Sequence, residues 1–256
     1  MIEVKEFLIG PIPVVEVVDT KLKEQALPLV LFYHGWTNSK DESVAYGVEL
    51  AKKGIRAVLP DAVLHGQRKR EQGTLGQEFW QVVGQNIMEF PTIISYYQEK
   101  NLILDQKIGV SGLSMGGITT YALLTQFDWI KAACSLMGNP DPVGFSKWTL
   151  DSPWSAGLSV EEPSDSEATE LFTQLSQISL RERPELINQR PLLLWHDTDD
   201  IWVPYDQNFA FYQDIKGKEF AKKVEWVETS GYGHKVPFTI TQALAEFFAR
   251  EFDTLK

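Results

Sequence analysis

The run KIGVSGLSMGGITTYALLTQF, Lys107 to Phe127, decides how this chain is read. An apolar start, Ile108 to Val110, leads into Gly112-Leu113-Ser114-Met115-Gly116, with Gly117 behind it. Beyond that the spacing turns helical, so a lone hydroxyl stands between glycines where a strand becomes a helix. A serine hydroxyl is a weak nucleophile at neutral pH and needs a base to take its proton. It also needs exposure, which a sharp strand-to-helix turn supplies by lifting the side chain off the sheet. Such a turn strains the serine backbone and crowds the residues two before and two after, which must be tiny. Gly112 and Gly116 occupy those places. The amino end of the following helix favours a developing negative charge. The five-residue pattern alone recurs by chance, but within strand–turn–helix it marks Ser114 as the candidate nucleophile.

Working outward, short apolar runs alternate with helical stretches. Strands are expected near 3–9 and 12–18, separated by Gly10 and Pro11, then at 29–33, 55–59, 108–113, 132–137, 192–195 and 224–227. Helices are expected near 40–53, 77–99, 115–127, 205–216 and 238–252, with Pro91 kinking or dividing the second. Strands that are continuously apolar and alternate with helices imply an α/β fold: a mostly parallel central sheet with helices on both faces. Residues 139–190 interrupt the alternation with several prolines, Trp148, Trp154 and the acidic run EEPSDSEATE. Ser164 and Asp165, followed by Glu167 and Leu171, have the form of a helix start. This segment reads as a small helical cap inserted over the carboxyl edge of the sheet, within one domain spanning 1–256.

The 256 residues carry a net charge of −11, which argues against nucleic acid or an anionic membrane as partner. The one basic cluster, Arg68-Lys69-Arg70, is expected to be a solvated loop. A single cysteine, Cys134, excludes an intrachain disulfide and lies in an apolar run expected to bury it as an inert thiol. The amino terminus lacks a basic start followed by a long apolar stretch, and no run is long enough to span a membrane, so a cytoplasmic location is expected. There is no phosphate loop or dinucleotide fingerprint, so no cofactor is expected. The four histidines lack metal-site spacing, and no metal is expected.

Those histidines are His34, His65, His196 and His234. His34 and His196 fall at strand ends, where an imidazole often serves as a structural hydrogen-bonding group, and His65 falls in a loop. His234 follows the last strand in a Gly-Tyr-Gly loop free enough to place a ring over the serine, which makes it the candidate base. The partner acid must come from WHDTDDIWVP, which offers Asp197, Asp199 and Asp200 in one loop after a strand.

Taken together, five motifs resemble the α/β-hydrolase superfamily, most closely the small bacterial esterases near its prolyl-oligopeptidase and dienelactone-hydrolase branches. They are Tyr33-His34-Gly35-Trp36-Thr37, Leu59-Pro60-Asp61 with His65-Gly66, Gly112 to Gly117, Trp195-His196 through Val203-Pro204, and Gly231-Tyr232-Gly233-His234. The likeness covers nearly the whole chain, and the order nucleophile, acid, histidine is the family's. It implies a triad of Ser114, Asp200 and His234. Asp200 is selected because the family pattern His-Gly-x-x-Asp-x-x-Val-Pro maps onto His196 through Pro204. Asp199 is the reserve, and Asp197 stands where glycine is usual; the two are expected to serve turn and cap roles. The resemblance also implies an oxyanion site built from the backbone N–H groups of Met115 and Trp36, with Gly35 letting the second loop approach.

The function implied is a serine carboxylesterase acting on a small-molecule ester by an acyl-enzyme route. The Trp36 ring, Trp148, Trp154 and Trp202 are candidates to line its substrate pocket. A thioesterase, peptidase or acyltransferase of the same superfamily is the alternative, although 256 residues leave no room for the large gating domain an oligopeptidase normally carries. A third reading, from a different class, is a non-catalytic ligand-binding protein on a hydrolase scaffold. Such proteins often lose a triad member, whereas here all three are present.

Overall fold

Apolar runs too short for helices form eight strands: β1 (Ile2–Ile9), β2 (Ile12–Asp19), β3 (Leu27–Tyr33), β4 (Arg56–Pro60), β5 (Ile103–Leu113), β6 (Ala132–Leu136), β7 (Leu192–Asp197) and β8 (Val224–Thr229). They belong to a computed structural model that describes residues 1–69, 78–150, 152 and 165–254. The strands make one sheet in the order β1-β2-β4-β3-β5-β6-β7-β8. β1 pairs antiparallel with β2, and β2 with β4; every pairing from β4 across to β8 is parallel. The expected strands are all present; β5 begins five residues earlier than expected, and the other ends agree within two residues.

The period-two geometry of a strand explains why the central runs are apolar throughout. Leu29, Leu31 and Tyr33 of β3 enter one core, while Val30 and Phe32 enter the other. In β7, Leu192 and Leu194 face the first core, and Leu193 and Trp195 the second. Helices α2 (Phe79–Glu99), α3 (Met115–Gln126) and α6 (Tyr205–Ile215) cover the first face through residues such as Phe90, Tyr97, Tyr121 and Phe211. Helices α1 (Val44–Lys52) and α7 (Phe238–Glu251) cover the second through Tyr46, Leu50, Leu244 and Phe248.

Two expectations need correction. Pro91 does not divide its helix, which runs unbroken from Phe79 to Glu99. Phe90, Ile93, Ile94 and Tyr97 are buried on either side of the proline, and that packing outweighs one missing hydrogen bond. Arg68 is only partly solvated, since its guanidinium forks onto both oxygens of Glu89 at 2.8 and 2.7 Å, while Lys69 is exposed as expected and Arg70 lies outside the described residues. Cys134 is buried in β6, as expected, and burial pushes its thiol well above the ordinary value.

Between β6 and β7 lie α4 (Pro142–Leu150) and α5 (Asp165–Ser176), which pack against each other with Lys147 Nζ 5.0 Å from the centre of the Phe172 ring. Residues 151 and 153–164 of this segment, Trp154 among them, lie outside the described residues. Among the described residues no helix is long and apolar enough to cross a membrane. The loops that leave the carboxyl ends of β3, β4, β5, β7 and β8 gather on one edge of the sheet, where ligand sites of parallel sheets form.

Phe248 is fully buried and joins α7 to the second core. Phe248→Ala should therefore lower unfolding stability by about 3–5 kcal/mol, read from chemical denaturation. A loss below about 1 kcal/mol would mean that α7 is not an integral part of that core.

Candidate active site

Ser114 sits between the last residue of β5 and the first of α3 with φ 55 and ψ −116, a region that L-residues rarely adopt. Sterics explain its glycine neighbours. A Cβ on Gly112 would lie 2.5 Å from the Gly116 carbonyl carbon, and one on Gly116 would lie 2.0 Å from the Tyr33 carbonyl oxygen. The close packing these glycines allow presses α3 against β3 and β5 and fixes the direction of the serine. From this turn Ser114 Oγ stands 2.8 Å from His234 Nε2. The other ring nitrogen, Nδ1, lies 2.7 Å from Asp200 Oδ2. Three side chains from the ends of three different strands thus form one hydrogen-bonded line.

Asp200 is held from every side. Its Oδ1 accepts the backbone N–H of Trp202 at 2.9 Å and of Val203 at 3.1 Å, while Oδ2 also receives His196 Nε2 at 3.2 Å. Burial alone would raise this carboxyl. The hydrogen bonds from His196 and His234, the charge of His234 and the Val203 N–H outweigh it, and hold the group well below the usual carboxylate range. His196 is oriented in turn by Asn208, whose Nδ2 donates to the ring Nδ1 at 3.0 Å. That leaves the Nε2 proton for the Val203 carbonyl, at 3.0 Å, and for Asp200.

A second pair of loops carries the residues expected around an oxyanion. Met115 opens α3, so its N–H has no acceptor within the helix. Gly35 lies so near the serine that a Cβ on it would stand 3.5 Å from Ser114 Cβ and 2.8 Å from Leu113 Cδ1. The Trp36 amide is one residue further along the same loop. This loop is fastened to the one after β4. His34 Nε2 accepts the Ala62 N–H at 3.0 Å, while its Nδ1 proton goes to the Gly35 carbonyl at 2.8 Å. Asp61 accepts the N–H groups of Lys40 and Gln67 and pairs with the buried Lys40 ammonium at 3.1 Å. Burial pushes His34 down to about 4, so at neutral pH it is an uncharged structural link.

The tryptophans divide. The half-buried Trp36 ring packs edge-on against His65 and tilted against Phe79, and Trp148 stacks on Phe145. Both border the same apolar cluster as Met115. Trp202 is exposed on the Asp200 loop. Among the described residues no group of His, Cys, Asp or Glu side chains could hold a metal ion. His196 makes structural hydrogen bonds at a strand end, as expected, whereas the part Asn208 plays in orienting it was not expected. His196 lies in a noted motif, but Asn208 gives no local signal.

Chemically, a hydroxyl, an imidazole and a buried carboxylate in line can move a proton off the hydroxyl as it attacks an electrophile. The sequence model of the prolyl oligopeptidase family matches residues 72–254. "Putative esterase YitV" of Bacillus subtilis (strain 168) is 36% identical over 252 residues, covering 97% of this chain and 98% of that one. "Esterase YjfP" of Escherichia coli (strain K12) is 29% identical over 251 residues, with the same shares of 97% and 98%. Among solved structures, TT1662 from Thermus thermophilus superposes with a TM-score of 0.76 at 16% identity, covering 99% of each chain.

The buried neutral His34 sets an expected pH dependence of folding. Its value falls from 6.5 in the ordinary case to about 4 in the folded protein. Between those limits the unfolded chain binds the extra proton, so stability is fully present above about pH 6.5 and is lost as pH falls toward 4. The full effect is on the order of 3 kcal/mol. The depressed carboxyl of Asp200 acts in the same direction but in a lower window, since its contribution is lost only as pH falls below the usual carboxylate range. The unfolding midpoint should therefore fall between about pH 7 and pH 4.5, and His34→Asn, which takes up no proton, should flatten that fall. An equally steep fall in the variant would remove His34 from the account.

Proposed function

The chain belongs to the prolyl oligopeptidase family of α/β-hydrolases and is a serine hydrolase, and from that premise we propose that it cleaves carboxylic esters through an acyl-enzyme formed on Ser114. The observation carrying this reading is the pair of short contacts, Ser114 Oγ to His234 Nε2 at 2.8 Å and His234 Nδ1 to Asp200 Oδ2 at 2.7 Å. Ser114 Oγ attacks the ester carbonyl carbon while His234 Nε2 takes its proton. Asp200 accepts a hydrogen bond from Nδ1–H, fixes the tautomer that leaves Nε2 free, and stabilises the imidazolium. The Met115 and Trp36 N–H groups bind the tetrahedral oxyanion. Collapse breaks the ester C–O bond, and the imidazolium protonates the departing alcohol. Water then attacks the acyl-enzyme with its proton going to His234, and the acid leaves with Ser114 Oγ reprotonated.

Ester rather than amide chemistry is favoured because both esterase-named relatives align over nearly their whole length. The name of the matching family favours peptides, and this is the second reading. Helices α4 and α5, with Trp36, Trp148 and Trp202, are proposed as a cap that shapes the acyl pocket.

Purified protein is expected to hydrolyse p-nitrophenyl acetate, and Ser114→Ala to abolish this while folding normally. Full activity in that variant would refute the nucleophile. His234→Ala should lose nearly as much, because the three groups act as a unit. Asp200→Asn should lower kcat by about 10³–10⁴-fold and Asp199→Asn by far less; the reverse order would move the acid role. A panel of p-nitrophenyl esters against peptide p-nitroanilides separates the two readings, and faster turnover of the anilides would favour the peptidase.

A further inference from the structure

We propose that Asp197, seconded by Asp199, is a positioning residue for His234: it clamps the loop that presents the imidazole to Ser114. The kinetic part rests on the esterase reading; the structural part does not.

His234 stands on an irregular stretch, residues 230–237, between β8 at the edge of the sheet and α7. Unrestrained, such a loop would carry its ring away from the serine for much of the time. What restrains it is a row of backbone amides donating to two carboxylates of the β7 loop. The Gly231 N–H donates to Asp199 Oδ2 at 2.7 Å, the Tyr232 N–H to Asp197 Oδ2 at 3.3 Å and the Gly233 N–H to Asp197 Oδ1 at 2.9 Å. Two hydroxyls extend the row, Thr229 to Asp197 Oδ2 at 2.8 Å and Ser230 to Asp199 Oδ2 at 3.2 Å. The Asp199 N–H closes the clamp on Asp197 Oδ1 at 3.1 Å. Gly231 and Gly233 have φ of 92° and 61°, and these backbone turns aim successive amides at the acids.

Asp197 is fully buried, and among the described residues no lysine or arginine pairs with it. Its charge is therefore carried by N–H and O–H donors alone. Such charge-assisted bonds are roughly twice as strong as neutral ones. Burial would raise the carboxyl, but the donors outweigh it and keep the group ionised at neutral pH. Asp197 is also three residues from Asp200. One segment thus holds both the ring of His234, through Asp200, and the backbone beneath that ring, through Asp197. The placement of the imidazole over Ser114 follows from this double grip.

Asp197→Asn replaces one acceptor oxygen by an NH₂ that faces donors, so it should slacken the loop. With p-nitrophenyl acetate its kcat should fall about 10–100-fold with KM within about twofold, since a displacement of about 1 Å costs up to about 10² in rate. A downfield proton signal from His234 Nδ1–H, present in wild type and absent in Asp200→Asn, should broaden or vanish in Asp197→Asn. Thr229→Val should show a weaker form of both effects, and Thr229→Ser, which keeps the hydroxyl, should restore them. In a His234→Ala background Asp197→Asn should change the residual rate by less than about twofold, because the group it positions is gone. Wild-type kcat with an intact downfield signal in Asp197→Asn, or an equal loss in the His234→Ala background, would overturn the proposal. Should Asp197→Asn fail to fold, the Thr229 pair decides on the same readouts. A wild-type protein that cleaves no ester would overturn the esterase reading, and the proton signal would then decide the clamp by itself.

Discussion

The site turns on one buried carboxylate, Asp200, with four donors directed at its two oxygens. Removing a carboxylate from water costs several kcal/mol unless its lone pairs are met. Here two are met by the backbone of its own loop, one by His196 and one by His234. The backbone donors are fixed by the turn after β7, and His196 by Asn208 of α6. Only the His234 bond reaches across to another loop. Most of the desolvation cost is thus offset before that histidine arrives, and the fourth bond can be devoted to orienting it.

Ser114 presents the opposite problem, an unfavourable backbone rather than an unfavourable charge. A non-glycine residue at φ 55 costs about 1–3 kcal/mol and persists only where its surroundings over-determine it. The surroundings are α3, whose residues from Met115 to Leu124 are all buried, and the glycine contacts that seat this helix against β3. The strain is supported by the core of the sheet and not by the β7 and β8 loops of the site, so the direction of the serine is set independently of the loops that carry Asp200 and His234.

What the sequence disclosed follows the range of the forces involved. Parallel strands covered on both faces read as continuous apolar runs, as β3 and β7 do, whereas the edge strands β1 and β8 carry charged residues and are partly exposed. The turn at Ser114 was legible because its steric demand falls on residues two positions away. Pro91 misled because a local rule about a missing N–H was overruled by the packing of Phe90, Ile93, Ile94 and Tyr97. Arg68 misled because Glu89, its partner, lies 21 residues away on another element. Asp197 and Asp199 of WHDTDD were read as turn and cap residues, and the Asp199 N–H bond to Asp197 fits that description. Their longer reach to Thr229 through Gly233 did not show, because nothing local encodes a bond spanning 36 residues.

The crowding of three aspartates into four residues then has a physical explanation. Like charges so close should oppose one another's ionisation, yet Asp197 and Asp200 are both held below the usual carboxylate range. Each has a separate set of donors: Asp200 takes its own loop and two imidazoles, Asp197 takes Thr229, Asp199, Tyr232 and Gly233, and Asp199 takes Ser230 and Gly231. Fixed N–H dipoles, unlike lysine or arginine, cannot swing away or compete for the imidazole. A cation placed here to balance the charge would sit beside His234 and disfavour the imidazolium that proton transfer creates. Backbone donors balance the acids without adding a net positive charge. The loop therefore combines rigidity with a negative field at the ring, the two conditions a histidine needs to take a proton from serine and hold it.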